Sequence, residues 1–221
     1  MSLPVIIIGN GGHASVVLST LRAAGRHVIA ATDLMEGRQG RIPTDIPIIT
    51  DSQLMERFPS HSVELALGLG SIWPCEVGGI RIQLAQKFES KGYRFPCLVH
   101  PFSSVALGVD LPDGCQVFAG VVVQPGVTIG RFTILNSCVS VDHDCAIGSF
   151  CHLSPRATLS GDVVVGDMCH LGTGCAVIQS VRLGNGCFVA AGATVVASYP
   201  GDLYLRGTPA KPFIPFKERV E

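Results

Sequence analysis

The sequence predicts two units of different class. Residues 1–102 read as an α/β, Rossmann-like module, and residues 103–221 as a left-handed parallel β-helix of hexapeptide repeats with a C-terminal tail. Three observations carry the division. A six-residue aliphatic period runs through the second half, a strand–glycine loop–helix pattern opens the first, and the composition is 47% apolar but only 6% aromatic.

The period is the strongest signal. From Val105, through Leu111, Val117 and onward to Val195, every sixth residue is Val, Ile or Leu, sixteen positions in all. Four residues after each, the side chain is small or β-branched, as at Val109, Cys115, Thr133, Cys145 and Ala157, until Tyr199 breaks the column. Neither an α-helix nor strand alternation repeats every six residues. A short strand plus a turn does, and three such units close a triangular coil of eighteen residues. Stacked coils bury the aliphatic column and pack the small residues near the bends, each coil rising ~4.8 Å by β-pairing.

In the first module Val5-Ile6-Ile7-Ile8 reads as a buried strand and Gly9-Asn10-Gly11-Gly12-His13-Ala14 as a loop opening a helix. A second strand, His27 to Thr32, ends at Asp33. This is the G-x-G-x-x-A pattern with a following acidic residue that marks dinucleotide sites. Further strands are expected near 47–50, 63–69 and 94–99, with helices near 13–25, 51–58 and 76–91. That makes one short doubly wound unit, too small for a whole dinucleotide, so a mononucleotide or the nucleotide of a sugar nucleotide fits better. The glycines permit close backbone approach, and a helix N-terminus favours phosphate. His100-Pro101 and a short link place the boundary at 102/103.

Charged residues are 15% with net charge −1, so no basic footprint invites nucleic acid or an anionic membrane. Apolar runs fall short of the ~18 residues that span a bilayer, and no secretory signal is readable. A soluble cytoplasmic protein is expected. The nine cysteines are odd in number and contain no C-x-x-C, which fits neither a disulfide framework nor zinc. Cys115, Cys145, Cys151, Cys169, Cys175 and Cys187 fall in the small-residue column and read as compact core filler.

The anomalous hexad is Val141-Asp142-His143-Asp144-Cys145-Ala146. An imidazole between carboxylates suits a general base; the pattern alone does not choose the partner aspartate. Gly161 follows His143 by eighteen residues, so it sits beside it on the next coil, where a bare N–H suits an oxyanion. His152 and His170 stack likewise, but Ile134 and Phe188 on the flanking rungs supply no third ligand, so no metal is expected. The G-T-P-A-K run ending at Lys211 suits a phosphate-bearing ligand, and an ordinary capping turn equally well.

Together, the hexads, V-D-H-D-C, G-T-P-A-K and the G-N-G-G-H loop resemble the sialic-acid O-acetyltransferase (NeuD/PglD-like) family of hexapeptide-repeat sugar acyltransferases over essentially the whole chain. Among its members the chain is similar to N-acetyltransferases of nucleotide-linked 4-amino-4,6-dideoxy sugars. The resemblance implies acetyl-CoA as co-substrate, a nucleotide-sugar acceptor, and a homotrimer with the donor between neighbouring β-helices. It implies His143 as base, Asp144 orienting it, Asn136 near the acceptor, and His152 and Gly161 on the acetyl carbonyl. Gly9, Asn10, Gly11, Gly12 and His13, with Asp33, would receive the nucleotide sugar. Thr173 is expected near the pantetheine of the donor and Lys211 near its nucleotide end. Surface glycan assembly by N-acetylation is the leading expectation. The alternative is O-acetylation of a sialic acid-type sugar, since the same histidine can deprotonate a hydroxyl. An NAD-binding oxidoreductase is more remote, because it leaves residues 105–200 unexplained.

Overall fold

The computed structural model describes residues 2–70 and 79–213. The first unit runs β1 (Val5–Ile8), α1 (Gly12–Ala23), β2 (Val28–Thr32), β3 (Ile48–Ile49), α2 (Asp51–Arg57), β4 (Glu64–Leu67) and α3 (Gly79–Glu89). Its four strands are parallel in the order β3-β2-β1-β4. Central β1 is covered on both faces, which is why its sequence is unbroken aliphatic rather than alternating. Val5 and Ile7 pack with Ala14, Val17 and Leu21 of α1, while Ile6 and Ile8 pack with Leu54 of α2 and Phe88 of α3. Strand order reverses beside β1, so a crevice opens at the C-terminal ends of β1 and β4.

In the second unit, two-residue strands pair in parallel at an eighteen-residue register, as in Ile134↔His152↔His170↔Phe188. They form sheets of eight, six and four strands. The antiparallel exception is the closing hairpin of Tyr204–Arg206 and Lys211–Pro212. The aliphatic column is buried from Val117 to Val195; Val105 and Leu111, on the end coil, are partly buried.

Corners recur every six residues, each with one residue in the left-handed region. Phe132, Cys138, Asp144, Phe150, Arg156, Asp162, Met168 and Ser180 hold φ between 57° and 62° there, a conformation that non-glycine side chains rarely adopt. Corner carbonyls find donors in the small-residue column. The thiols of Cys115, Cys145, Cys151 and Cys169 donate to Gly130, Ser160, Gly166 and Gly184 oxygens at 3.0–3.2 Å, and Thr133 Oγ1 donates to Gly148 O at 2.7 Å. These cysteines are therefore donors as well as filler.

Two boundaries differ from expectation. Within the segment expected as a strand at 94–99, only Leu98–Val99 is extended, and it pairs with Gln116–Val117 instead of joining the α/β sheet. Val99 stands six residues before Val105, on the same inward column. At the far end Leu205 adds an inward rung opposite Val189, where the last coil is shorter. The start of the helix expected at 76–91 lies outside the described residues, and α3 is seen from Gly79.

The two units share cores. Phe118 and Ile134 of the coils join the α1 cluster, and Phe132 joins that of α3. Arg81 of α3 is fully buried and donates to the Phe132 carbonyl, and Arg131 pairs with Glu89. Among the described residues no helix is long and apolar enough to cross a membrane.

Candidate active site

Asp144 is the partner of His143. At φ +60° the Asp144 backbone turns its carboxylate back over the preceding ring, with Oδ2 2.8 Å from His143 Nδ1. Asp142 instead accepts the His143 backbone N–H at 2.8 Å. The Asp144 hydrogen bond chiefly raises the His143 pKa above its ordinary value, with the charge of Asp142 next; slight desolvation opposes, and the charges of Asp144 and Asp162 add. Nδ1 is thereby committed and Nε2 is presented outward. Gly161 lies against that edge: a Cβ on it would stand 2.6 Å from Nε2 and from Cε1. Glycine at 161 thus clears the ring by its missing side chain, since its φ is not left-handed.

Asn136 and His152 lie away from this corner: Asn136 turns the preceding one, between Ile134–Leu135 and Ser140–Val141. Half-buried there, it accepts the Ser137 N–H on Oδ1 at 2.8 Å, which assigns Nδ2 as the donor to His152 Nε2 at 3.1 Å. The His152 ring proton then resides on Nδ1. His152 meets His170 edge to face at 5.1 Å, and His170 stacks on Phe188 at 4.9 Å. Burial pulls the His170 pKa down to about 4, and Ser154 Oγ bonds its Nε2 at 3.2 Å. Among the described residues no group of three or more His, Cys, Asp or Glu is placed to hold a metal.

His13 links the two units. Gln116 donates its amide to the Leu67 carbonyl at 2.7 Å, so its Oε1 accepts from His13 Nε2 at 2.8 Å. His13 is therefore a neutral donor at Nε2 with Nδ1 as acceptor. Burial pulls its pKa down to about 4; the Gln116 bond opposes this and the Arg81 charge adds to it. Its ring centroid lies 6.3 Å from that of His152, so the glycine loop reaches the face of the β-helix that carries His152 and Asn136. Sequence reasoning missed Gln116, although an amide on an outward rung between Leu98 and Ile134 is a legible oddity.

The loop itself opens on a cleft of about 470 Å³ lined by Gly9, Asn10, Asp33, Leu34, Asp51 and Lys87, among others. A neighbouring hollow of about 560 Å³ is bordered by Gly11, Gly12, Asp33 and Arg38. A Cβ on Gly11 or Gly12 would meet nothing within 4 Å, and no side chain caps α1 at Gly11. Asp33 Oδ1 accepts from Leu34 N at 2.7 Å and from Arg38 Nη1 at 3.3 Å. Asn10 has a different occupation. Buried at 5% exposure, its side chain donates to Arg38 O and accepts from Ile42 N, holding the 38–42 loop. Thr173 and Lys211 are both exposed, Thr173 at a corner and Lys211 opposite Arg206 in the closing hairpin.

The fold and this corner define an acyltransferase built on hexapeptide repeats. A family model described as the PglD N-terminal domain matches residues 4–73. Perosamine N-acetyltransferase from Caulobacter crescentus, solved as a histidine-to-asparagine mutant with CoA and GDP-perosamine, is 33% identical with TM-score 0.87, aligning 96% of this chain and 97% of that one. The acetyltransferase domain of PglB from Neisseria gonorrhoeae is 30% identical with TM-score 0.85, aligning 95% and 99%. The chain belongs to the PglD-like family of sugar acetyltransferases. WeeI from Acinetobacter baumannii, 19% identical with TM-score 0.79 over 96% and 100% of the chains, shares the fold. A search of curated proteins finds no match.

Proposed function

We propose that the protein transfers the acetyl group of acetyl-CoA to the amine of a nucleotide-linked 4-amino-4,6-dideoxy sugar in surface glycan assembly. The observation that carries this reading is the His143–Asp144 pair, with Nε2 turned toward bare Gly161. His143 Nε2 takes a proton from the amine as its nitrogen attacks the thioester carbonyl. The C–S bond then breaks, and the imidazolium returns the proton to the departing CoA thiolate while Asp144 stabilises its charge. Gly161 N–H serves the carbonyl oxygen as negative charge develops there. His152, with Asn136 near the acceptor, lies on another face of the coil and reaches the same carbonyl from a neighbouring chain of the assembly.

The donor lies along the stack, with Gly161 and Thr173 toward its pantetheine and Lys211 toward its nucleotide. Residues 1–102 hold the acceptor and 103–221 carry out the transfer. The open faces of Gly11 and Gly12 and the uncapped start of α1 suit its phosphates. Asp33 takes ribose or base, and neutral His13 takes the sugar; Gly9 and Asn10 shape the loop. The CoA and GDP-perosamine complex of the Caulobacter enzyme supports this pair of ligands. The coil is left-handed, three chains assemble so that the donor groove lies between neighbours, and the enzyme works in the cytoplasm without a metal.

An acetyl-transfer screen by thiol release against UDP-, GDP- and dTDP-linked 4-amino sugars and sialic acid tests this. N-acetylation of at least one amino sugar is the expected result. Release with sialic acid alone would overturn it in favour of O-transfer.

A further inference from the structure

Gly126 occupies the same corner as Asp144, one coil earlier. A Cβ built on Gly126 would stand 2.3 Å from Asp144 Oδ1, whereas its nearest backbone neighbour there, Asp144 N, is 3.4 Å away. The carboxylate is therefore what a side chain would strike. Gly126 has φ +77°, but the turn does not by itself demand glycine. Cys138, Asp144, Arg156, Asp162 and Ser180 hold left-handed corners of the same stack with ordinary side chains.

We propose that Gly126 is a positioning residue for the acetyl transfer: its bare face lets the Asp144 carboxylate fold against the preceding coil and hold Oδ2 within 2.8 Å of His143 Nδ1. This rests on the reading of His143 as the base. A methyl group at 126 requires Oδ1 to retreat by roughly 1 Å to reach van der Waals separation. Asp144 is 69% exposed in its side chain, so it can swing into solvent without disturbing the core. The loss then falls on the histidine pair. The charges of Asp142 and Asp162 still act on the imidazole in the variant, so what disappears is the Asp144 hydrogen bond.

Gly186 supplies a matched control. It too is left-handed, at φ +69°, and a Cβ on it would stand 2.4 Å from Asp202 Oδ1; Asp202 is paired with no histidine among the described residues. Gly126→Ala and Gly186→Ala therefore impose the same backbone strain and the same kind of collision. Only the first touches the base.

The experiment measures kcat, both KM values and the pH–rate profile for Gly126→Ala, Gly186→Ala, Asp144→Asn and the Gly126→Ala/Asp144→Asn double variant, with His143→Ala alongside. Misplacement by about 1 Å can cost on the order of 10²-fold in rate. Gly126→Ala should lower kcat roughly 10- to 100-fold with both KM values held, and should move the acidic limb to lower pH as the Asp144 hydrogen bond is lost. Gly186→Ala should retain wild-type kinetics, and Gly126→Ala should add nothing in the Asp144→Asn background. Wild-type rate and limb in Gly126→Ala, an equal loss in Gly186→Ala, or a full loss persisting over Asp144→Asn would each overturn the proposal. If His143→Ala is inactive while Gly126→Ala is normal, only the positioning role falls; if His143→Ala is active, the base reading falls with it.

Discussion

In the α/β module the backbone presents the chemistry, and in the β-helix one corner's side chains do. The start of α1 is bare at Gly11 and Gly12, with no side chain to cap it. In the β-helix, backbone groups are consumed by coil-to-coil pairing, as in His152 N–H to Cys169 O at 2.9 Å. What remains for chemistry is chiefly side chains, at a turn as for His143 and on an outward rung as for His152, with the Gly161 N–H as the proposed backbone donor. Asp144 holds the same φ as Phe132 and Phe150 to within a few degrees, yet its side chain pairs with an imidazole while theirs stack at 4.9 Å. A repeat thus hides function geometrically and reveals it only through residue type.

The largest expected effect sets the corner against the rest of the stack. Removing a general base costs roughly 10²–10⁴-fold in rate, so His143→Ala should lower turnover in that range while calorimetry shows unchanged acetyl-CoA affinity. Because the folded environment raises the His143 pKa, the rate should fall with decreasing pH at a value above the ordinary ~6.5. Asp144→Asn should cost less and return that limb toward lower pH. Unchanged turnover in His143→Ala would place the chemistry elsewhere.

A core substitution should do the reverse, spending its effect on stability. Leu153 is fully buried on the inward column, and truncation of such a residue costs about 2–5 kcal/mol. Denaturant unfolding of Leu153→Ala should show that loss; a difference below 1 kcal/mol would mean that the coils collapse onto the cavity.

In the α/β module, Gly11→Val should raise the acceptor KM roughly 10- to 100-fold, as expected if hydrogen bonds to a charged group worth about 1.5–3 kcal/mol are lost. The melting temperature should hold, since a Cβ there enters open space. A normal KM would make the loop purely structural.

The junction predicts a pH effect on stability. His13 and His170 both have folded pKa values near 4, below the ordinary 6.5. Between those values the unfolded chain binds more protons, so their stabilising contribution is complete above 6.5 and is lost as pH falls toward 4. Melting scans at pH 7 and 5 should show the decline, and His170→Phe, matching Phe188 on the next rung, should shrink it. A slope identical to wild type would assign the decline to other groups. The smallest effect belongs to the thiol column. Cys151→Ala deletes the bond to Gly166 O at 3.0 Å and should cost about 1 kcal/mol, readable by chemical denaturation.

The sequence alone determined the inward column, the coil length, the α/β start and the anomalous hexad, because each is a local or strictly periodic chemical pattern. Period arithmetic even placed Gly161 beside His143 and His152 beside His170. The hexad's pattern did not choose between Asp142 and Asp144; the family resemblance pointed to Asp144, and the left-handed turn there is what brings its carboxylate to the ring. Neither the pattern nor the resemblance found the His13–Gln116 bond or the buried Arg81 against Phe132, which join residues 103 and 51 positions apart. Those contacts, the internal use of Asn10, and the placing of Val99 on the stack were decided by tertiary structure. The physical reason is that a hydrogen bond has direction and short reach, so it exists only after packing has brought two distant segments to one place.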